Sequence, residues 1–104
     1  MFQIIVYVPN SHKDEVKGAL FSAGAGAIGD YTECCWEVEG VGQFRPGSGS
    51  QPYIGELNTL ERVAETKLEL VCEEKVLNSA ISAMIEAHPY EEPAYFVFRS
   101  FELR

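Results

Sequence analysis

An α+β sandwich with the element order βαββαβ is what this sequence predicts, and three observations predict it. Four stretches, 2–8, 31–41, 62–72 and 94–102, carry apolar and β-branched or aromatic residues at the two-residue period of strands. Two others, one after Ser11 and one over 73–88, repeat apolar residues at i, i+3, i+4 and i+7, the stripe of an amphipathic helix. Their order along the chain is that of a split βαβ, or ferredoxin-like, layout. Right-handed crossovers then place the first strand inside a four-stranded antiparallel sheet, with both helices on one face.

The first strand, "FQIIVYV", sets Phe2, Ile4, Val6 and Val8 on one face and Ile5 and Tyr7 on the other, which suits a central position. Pro9-Asn10 ends it, and Ser11 is placed to cap a helix whose first turn holds Asp14 and Glu15, near the positive end of its dipole. Val16, Ala19, Leu20 and Ala23 form the buried stripe, and Gly24 is the expected stop. The second strand is expected over 31–41, "YTECCWEVEGV". From Gly42 to Gly55 the chain is rich in Gly, Pro and Ser, a long loop of the kind that is usually functional or mobile. In the third strand Ala64, Thr66, Leu68, Leu70 and Cys72 face inward and Glu65, Lys67 and Glu69 outward. The second helix buries Val76, Leu77, Ala80, Ile81, Met84 and Ile85, and an aromatic strand with Tyr95, Phe96, Val97, Phe98 and Phe101 closes the fold. Ile5, Tyr7, Trp36 and one set of these aromatics make the sheet's second face too apolar for water, so burial against other subunits is expected.

With 104 residues, the chain has the length of one ordinary domain, taken as 1–104, and its 46% hydrophobic content places it among folded chains. Sixteen acidic residues against eight basic ones leave a formal net charge of −8, with no basic run. Such a surface repels phosphate backbones and anionic headgroups, which argues against nucleic acid and membrane as partners. No apolar run approaches the roughly 20 residues of a membrane span. The first residues enter a strand pattern rather than a leader pattern. Three cysteines, two of them adjacent, are a poor disulfide framework, and a reducing cytoplasm is expected.

Two stretches could carry chemistry. "GAGAIGDY" contains Gly24-x-Gly26-x-x-Gly29, the glycine spacing of a dinucleotide turn. That turn needs a strand before the glycines and a helix after them, so that helix N–H groups face the pyrophosphate. Here a helix precedes and a strand follows, so an anion would meet the wrong end of the dipole, and the glycines become a helix stop and a tight turn. "HPYEEPAY", residues 88–95, combines a helix terminus with a candidate metal set. His88, if protonated, suits the negative end of the second helix, and Pro89 and Pro93 enforce extended backbone. His88, Glu91 and Glu92 supply one nitrogen and two oxygen donors, so a further ligand would have to come from elsewhere, such as His12 or a cysteine. Adjacent Cys34 and Cys35 point to opposite faces of a strand and cannot readily chelate one ion. No nucleophile elbow, Walker loop or HExxH is present, which argues against an enzyme.

The string "GAGAIGDYTECCWEVEGVGQFRPGSGSQPYIGE", followed by "LERVAETKLEL" and "AHPYEEPAY", resembles the inserted domain of YqfO-type proteins, the dinuclear-metal proteins related in name to GTP cyclohydrolase type 1. The resemblance runs from about Phe2 to Phe98 and rests on Gly24, Gly26, Gly29, Tyr31, Cys34, Gly40, Gly42, Phe44, Pro46, Pro52, Gly55, Glu56 and His88 through Tyr95. Trp36 stands where that pattern prefers Phe. A more distant similarity, carried by "HPYE" and Pro93, links the chain to CutA proteins. The resemblance implies a CutA-like, PII-like module that assembles as a trimer, with the loop after the second strand touching ligands or partners. The residues present match the module alone, so neither the dinuclear site nor a hydrolase activity carries over.

The expectation is therefore a non-catalytic, homo-oligomeric binding or regulatory module, presenting residues 42–55 and the 88–95 turn to a small ligand or protein partner at a subunit boundary. Its ligand or interface residues are expected to be Gly24, Gly26, Gly29, Tyr31, Gly42, Phe44, Arg45, Pro46, Pro52, Tyr53, Gly55 and Tyr90. The alternative is a divalent-metal binder centred on His88 and Glu91, with Glu92, His12 or Cys34 assisting.

Overall fold

The computed structural model describes residues 1–103. Strand β1 (Phe2–Pro9) leads through a short 3-10 turn (Asn10–His12) into helix α1 (Lys13–Ser22). Strands β2 (Trp36–Phe44) and β3 (Glu61–Cys72) follow, then helix α2 (Glu74–Ala87) and strand β4 (Tyr95–Arg99). The four strands form one sheet in the order β2-β3-β1-β4, antiparallel at every pairing. Each helix thus bridges two parallel strands with a third between them, the ferredoxin-like α+β fold that the pattern predicts.

The core lies between the helices and one sheet face. Ile4 stands opposite Leu70 on β3 and Val97 on β4, and Val6 opposite Leu68 and Tyr95. Ile4, Val6, Val8, Leu68, Val16, Leu20 and Met84 are fully buried in one cluster with Cys72 and Ala80. Burying a side chain of this size contributes about 1.5–3 kcal/mol. The alternation that makes β1 a strand is therefore also what assembles the core.

Several local expectations change. Ser11 does not cap α1: it lies inside the 3-10 turn, its hydroxyl meets His12 Nδ1 at 2.8 Å, and α1 starts at Lys13 without a side-chain cap. Ile85 is 43% exposed, and Ala64 is exposed because β1 pairs with β3 only from Glu65 onward. The second strand starts at Trp36 rather than residue 31. Ile28 and Tyr31 exchange backbone hydrogen bonds of 2.9 Å around Gly29-Asp30, and Glu33 takes a left-handed φ of 57°, so the chain reverses before it can pair. Pairing with β3 then carries the strand on through Gly40 and Gly42 to Phe44. The last strand ends at Arg99, opposite Phe2, and Ser100 N–H beyond it still donates to the Met1 carbonyl at 2.9 Å.

Two consequences shape the functional surface. The distal hairpin, Val41–Phe44 against Glu61–Ala64, projects past the end of β1 and draws the molecule out to 48 × 24 × 24 Å. The sheet face away from the helices carries Trp36 at 68% exposure and Phe96 and Phe98 at 53% each, with Val38 at 50%. Lys67, Glu69 and Gln3 satisfy one another between these apolar groups.

Candidate functional site

The site begins with an anomaly on β3. Glu65 does face away from the helices as expected, yet it is only 9% exposed. Two neighbours enclose it, and a third packs on one of them. Tyr90, beyond the C-terminus of α2, donates its hydroxyl to Glu65 Oε2 at 2.7 Å. Gly42, on the neighbouring strand, leaves the space that the carboxylate fills, since a Cβ there would overlap both Glu65 oxygens. The Phe44 ring meets Tyr90 edge-on with centroids 5.6 Å apart.

His88 holds Tyr90 in place. It stands at the C-cap of α2 with extended backbone (φ −77°, ψ 135°), where Pro89 prevents the helix from continuing. Its ring turns inward rather than toward the helix end. Nε2–H donates to the Tyr7 carbonyl at 2.7 Å, and Nδ1 accepts the Tyr90 N–H at 3.1 Å. Those partners require the neutral ring with its proton on Nε2. Burial pushes its pKa below the ordinary 6.5, only partly offset by the Tyr7 carbonyl and the nearby Glu65 charge. The expected protonated helix-end histidine is thus replaced by a neutral ring that links β1 to the 88–94 turn. Burial, and then the hydrogen bond and charge of Glu65, raise the Tyr90 phenol far above its usual range, so it remains a donor.

Tyr90 and Glu65 line a cleft of about 300 Å³. Its walls are Gln43 and Phe44 of β2, the loop residues Arg45, Pro46, Gly47, Ser50, Pro52, Tyr53 and Ile54, and Glu91, Glu92 and Ala94 of the turn, over Tyr7 and Glu65. The loop is pinned at several points. Asn58 N–H donates to the Pro46 carbonyl at 2.6 Å, Arg45 to the Asn58 carbonyl at 2.8 Å, and Gln51 N–H to Glu91 Oε1 at 3.1 Å. Tyr53 packs edge-on against His12, centroids 5.6 Å apart. The turn is tied to β1 by Tyr7 N–H on the Ala94 carbonyl at 3.1 Å.

The structure brings together Phe44, Arg45, Pro46, Pro52, Tyr53, Tyr90, Glu91 and Glu92 around this cleft. Gly42 borders it through Glu65, and Gly55 (φ 95°) lies in the same loop against Glu61. Gly24, Gly26, Gly29 and Tyr31 are elsewhere. Gly24 (φ 103°) and Gly26 (φ 82°) turn the chain out of α1, where Gly26 N–H meets the Val71 carbonyl at 2.7 Å, at the opposite end of the sheet. A Cβ on Gly26 would sit 2.9 Å from the Cys34 carbonyl and the Phe21 ring, so the glycines answer a backbone requirement there. The candidate metal set does not converge. Both His88 nitrogens are engaged, Glu91 accepts from Gln51, and among the described residues no three His, Cys, Asp or Glu side chains are placed to share an ion. Cys34 and Cys35 are half-buried free thiols, and Cys72 is a buried one.

Glu65 is the residue the sequence pattern misplaces. Its alternation with Lys67 and Glu69 looks like a solvated face, and the cover comes from residues far along the chain. The one local sign is the pair of glycines, Gly40 opposite it and Gly42 two residues on.

No family model matches the chain. Over 94 residues, 90% of its length, it is 48% identical to a Mycobacterium leprae protein named GTP cyclohydrolase 1 type 2 homolog, of which that stretch makes up 24%. Among solved structures it superposes on a Bacillus cereus protein related to NIF3 with a TM-score of 0.79 and 41% identity, covering 93% of this chain and 24% of that one. It also superposes on Pyrococcus horikoshii CutA with a TM-score of 0.71 and 15% identity, covering 100% of this chain and 88% of that one, a likeness of fold alone. The chain therefore matches one segment of the longer proteins, about a quarter of their length, and has the fold of CutA.

Proposed function

We propose that the chain is a non-catalytic binding or regulatory module, a single CutA-like, PII-like unit over 1–104 resembling the insert of YqfO-type proteins. It works as a homo-oligomer, with a trimer favoured by that resemblance, and takes a small ligand in the cleft beneath the 45–60 loop. The cyclohydrolase of the relatives' name belongs to proteins of which this chain spans about a quarter, and none of the cleft residues forms a nucleophile–base pair.

The observation that carries the reading is the sheet face opposite the helices. Trp36, Val38, Phe96 and Phe98 are each half or more exposed on one surface, the kind of apolar patch that marks an association site. The hairpin of β2 and β3 projects from the same sheet, past the end of β1. Sedimentation velocity at micromolar concentration tests this. A stable oligomer is expected, and a monomer across that range would overturn the reading.

A further inference from the structure

The character of the cleft narrows what it binds, an inference that rests on reading the cleft as a ligand site. Glu65 is more than nine-tenths buried, but the ion pairs among the described residues all use other carboxylates. Its hydrogen-bond donor is the Tyr90 hydroxyl, on Oε2. Oε1 receives no hydrogen bond among the described residues and keeps some exposure, and Glu65 lines both this cleft and a shallower hollow beside Gly42 and Lys67. A carboxylate withdrawn from water is costly until a cation meets it. The cleft supplies none: His88 beside it is held neutral, and Arg45, the cationic side chain on the lining, is turned to the Asn58 carbonyl. Glu91 and Glu92 add further negative charge to the walls, and Tyr7, Phe44, Tyr53 and Tyr90 add aromatic surface.

We propose that this cleft binds an organic cation, an ammonium or guanidinium group, with Glu65 Oε1 as its counter-ion and the tyrosine rings as apolar and cation–π walls. Phosphate-bearing or carboxylate ligands meet three acidic side chains here and are repelled. A bare divalent ion needs several convergent donors, which the site does not bring together. The cationic group comes either from a free small molecule or from a Lys or Arg of a second copy laid across the cleft.

Calorimetric titration of the whole chain with n-butylguanidinium, against its neutral isostere n-butylurea, tests the assignment. The cation is expected to bind saturably, roughly tenfold or more tighter than the urea, because the buried charge is met only by the cation. Glu65→Gln should remove that preference, and Tyr90→Phe, which keeps the carboxylate, should retain it. Attraction to the chain's overall negative charge would instead vanish in moderate salt and fail to saturate, and that result overturns the proposal. If a second copy supplies the cation, Glu65→Gln and added butylguanidinium will each lower the sedimentation coefficient; if a free molecule does, assembly will be unchanged while binding is lost. Should Glu65→Gln fail to fold, the contrast between cation and urea on the unsubstituted chain still decides. Saturable binding of butylurea or inorganic phosphate without preference for the cation would contradict the cation assignment and leave the cleft a binding site. No binding of any probe together with a monomeric chain would contradict both.

Discussion

Tyr90 and Glu65 lie 25 positions apart, on a turn and on a strand, and share a 2.7 Å hydrogen bond from phenol to carboxylate. That bond closes the floor of the cleft and keeps the 88–94 turn against β3. Replacing Tyr90 with Phe leaves the ring and removes the donor. A hydrogen bond to a charged acceptor is worth about 1.5–3 kcal/mol, and partial exposure puts this one near the lower figure. Urea denaturation of Tyr90→Phe should show a loss of about 1–2 kcal/mol. In an ultraviolet titration Tyr90 should resist ionisation well beyond the ordinary phenol range, because burial and the adjacent carboxylate both oppose its anion.

Gly40 and Gly42 make a matched pair. A Cβ on Gly42 would overlap the Glu65 carboxylate, whereas one on Gly40 meets nothing within 4 Å. Gly42→Ala must push Glu65 off the floor of the cleft or strain the hairpin, at a cost of about 1–3 kcal/mol. Gly40→Ala should be neutral or slightly stabilising, since glycine in a strand forfeits conformational entropy on folding. Thermal unfolding of the two variants checks the difference, and equal midpoints would show that Glu65 is not held where the structure places it.

His88 predicts a dependence on pH. Its folded-state pKa lies below the ordinary 6.5, chiefly through burial, so the unfolded chain takes up the proton more readily than the folded one. The stabilising effect of the neutral ring is complete above about 6.5 and is lost as pH falls through the window between that value and the lower folded one. Protonated Nδ1 would also confront the Tyr90 N–H that it now accepts. Denaturation curves collected across that window should converge toward those of His88→Gln as pH falls. A constant gap between the two would contradict the neutral-ring assignment.

The legible part of this molecule was the part governed by local period. Ile4, Val6 and Val8 alternate, Val16 and Leu20 repeat at helical spacing, and both signals point into the same core that the structure shows. Gly24 was legible too, as the position where a left-handed backbone ends α1. What escaped depends on tertiary partners. The start of β2 moved because Glu33 and the Ile28–Tyr31 bridge redirect the chain, and its end moved because β3 pairs with it past both glycines. Glu65 looked solvated because nothing in "RVAETKLEL" records that Tyr90 will fold over it. His88 was legible as a helix stop, while its inward ring depends on a carbonyl of β1, 81 positions away.

The central claim is that the apolar sheet face is covered by other copies of the chain, and Trp36 reports on it directly. It is the sole tryptophan, lies on that face, and is 68% exposed in the isolated chain. Its fluorescence emission should be blue-shifted at micromolar concentration and move to the water-exposed maximum on dilution, or at any concentration in Phe96→Glu. Emission at the water-exposed maximum throughout, unchanged by concentration or by Phe96→Glu, would contradict the account.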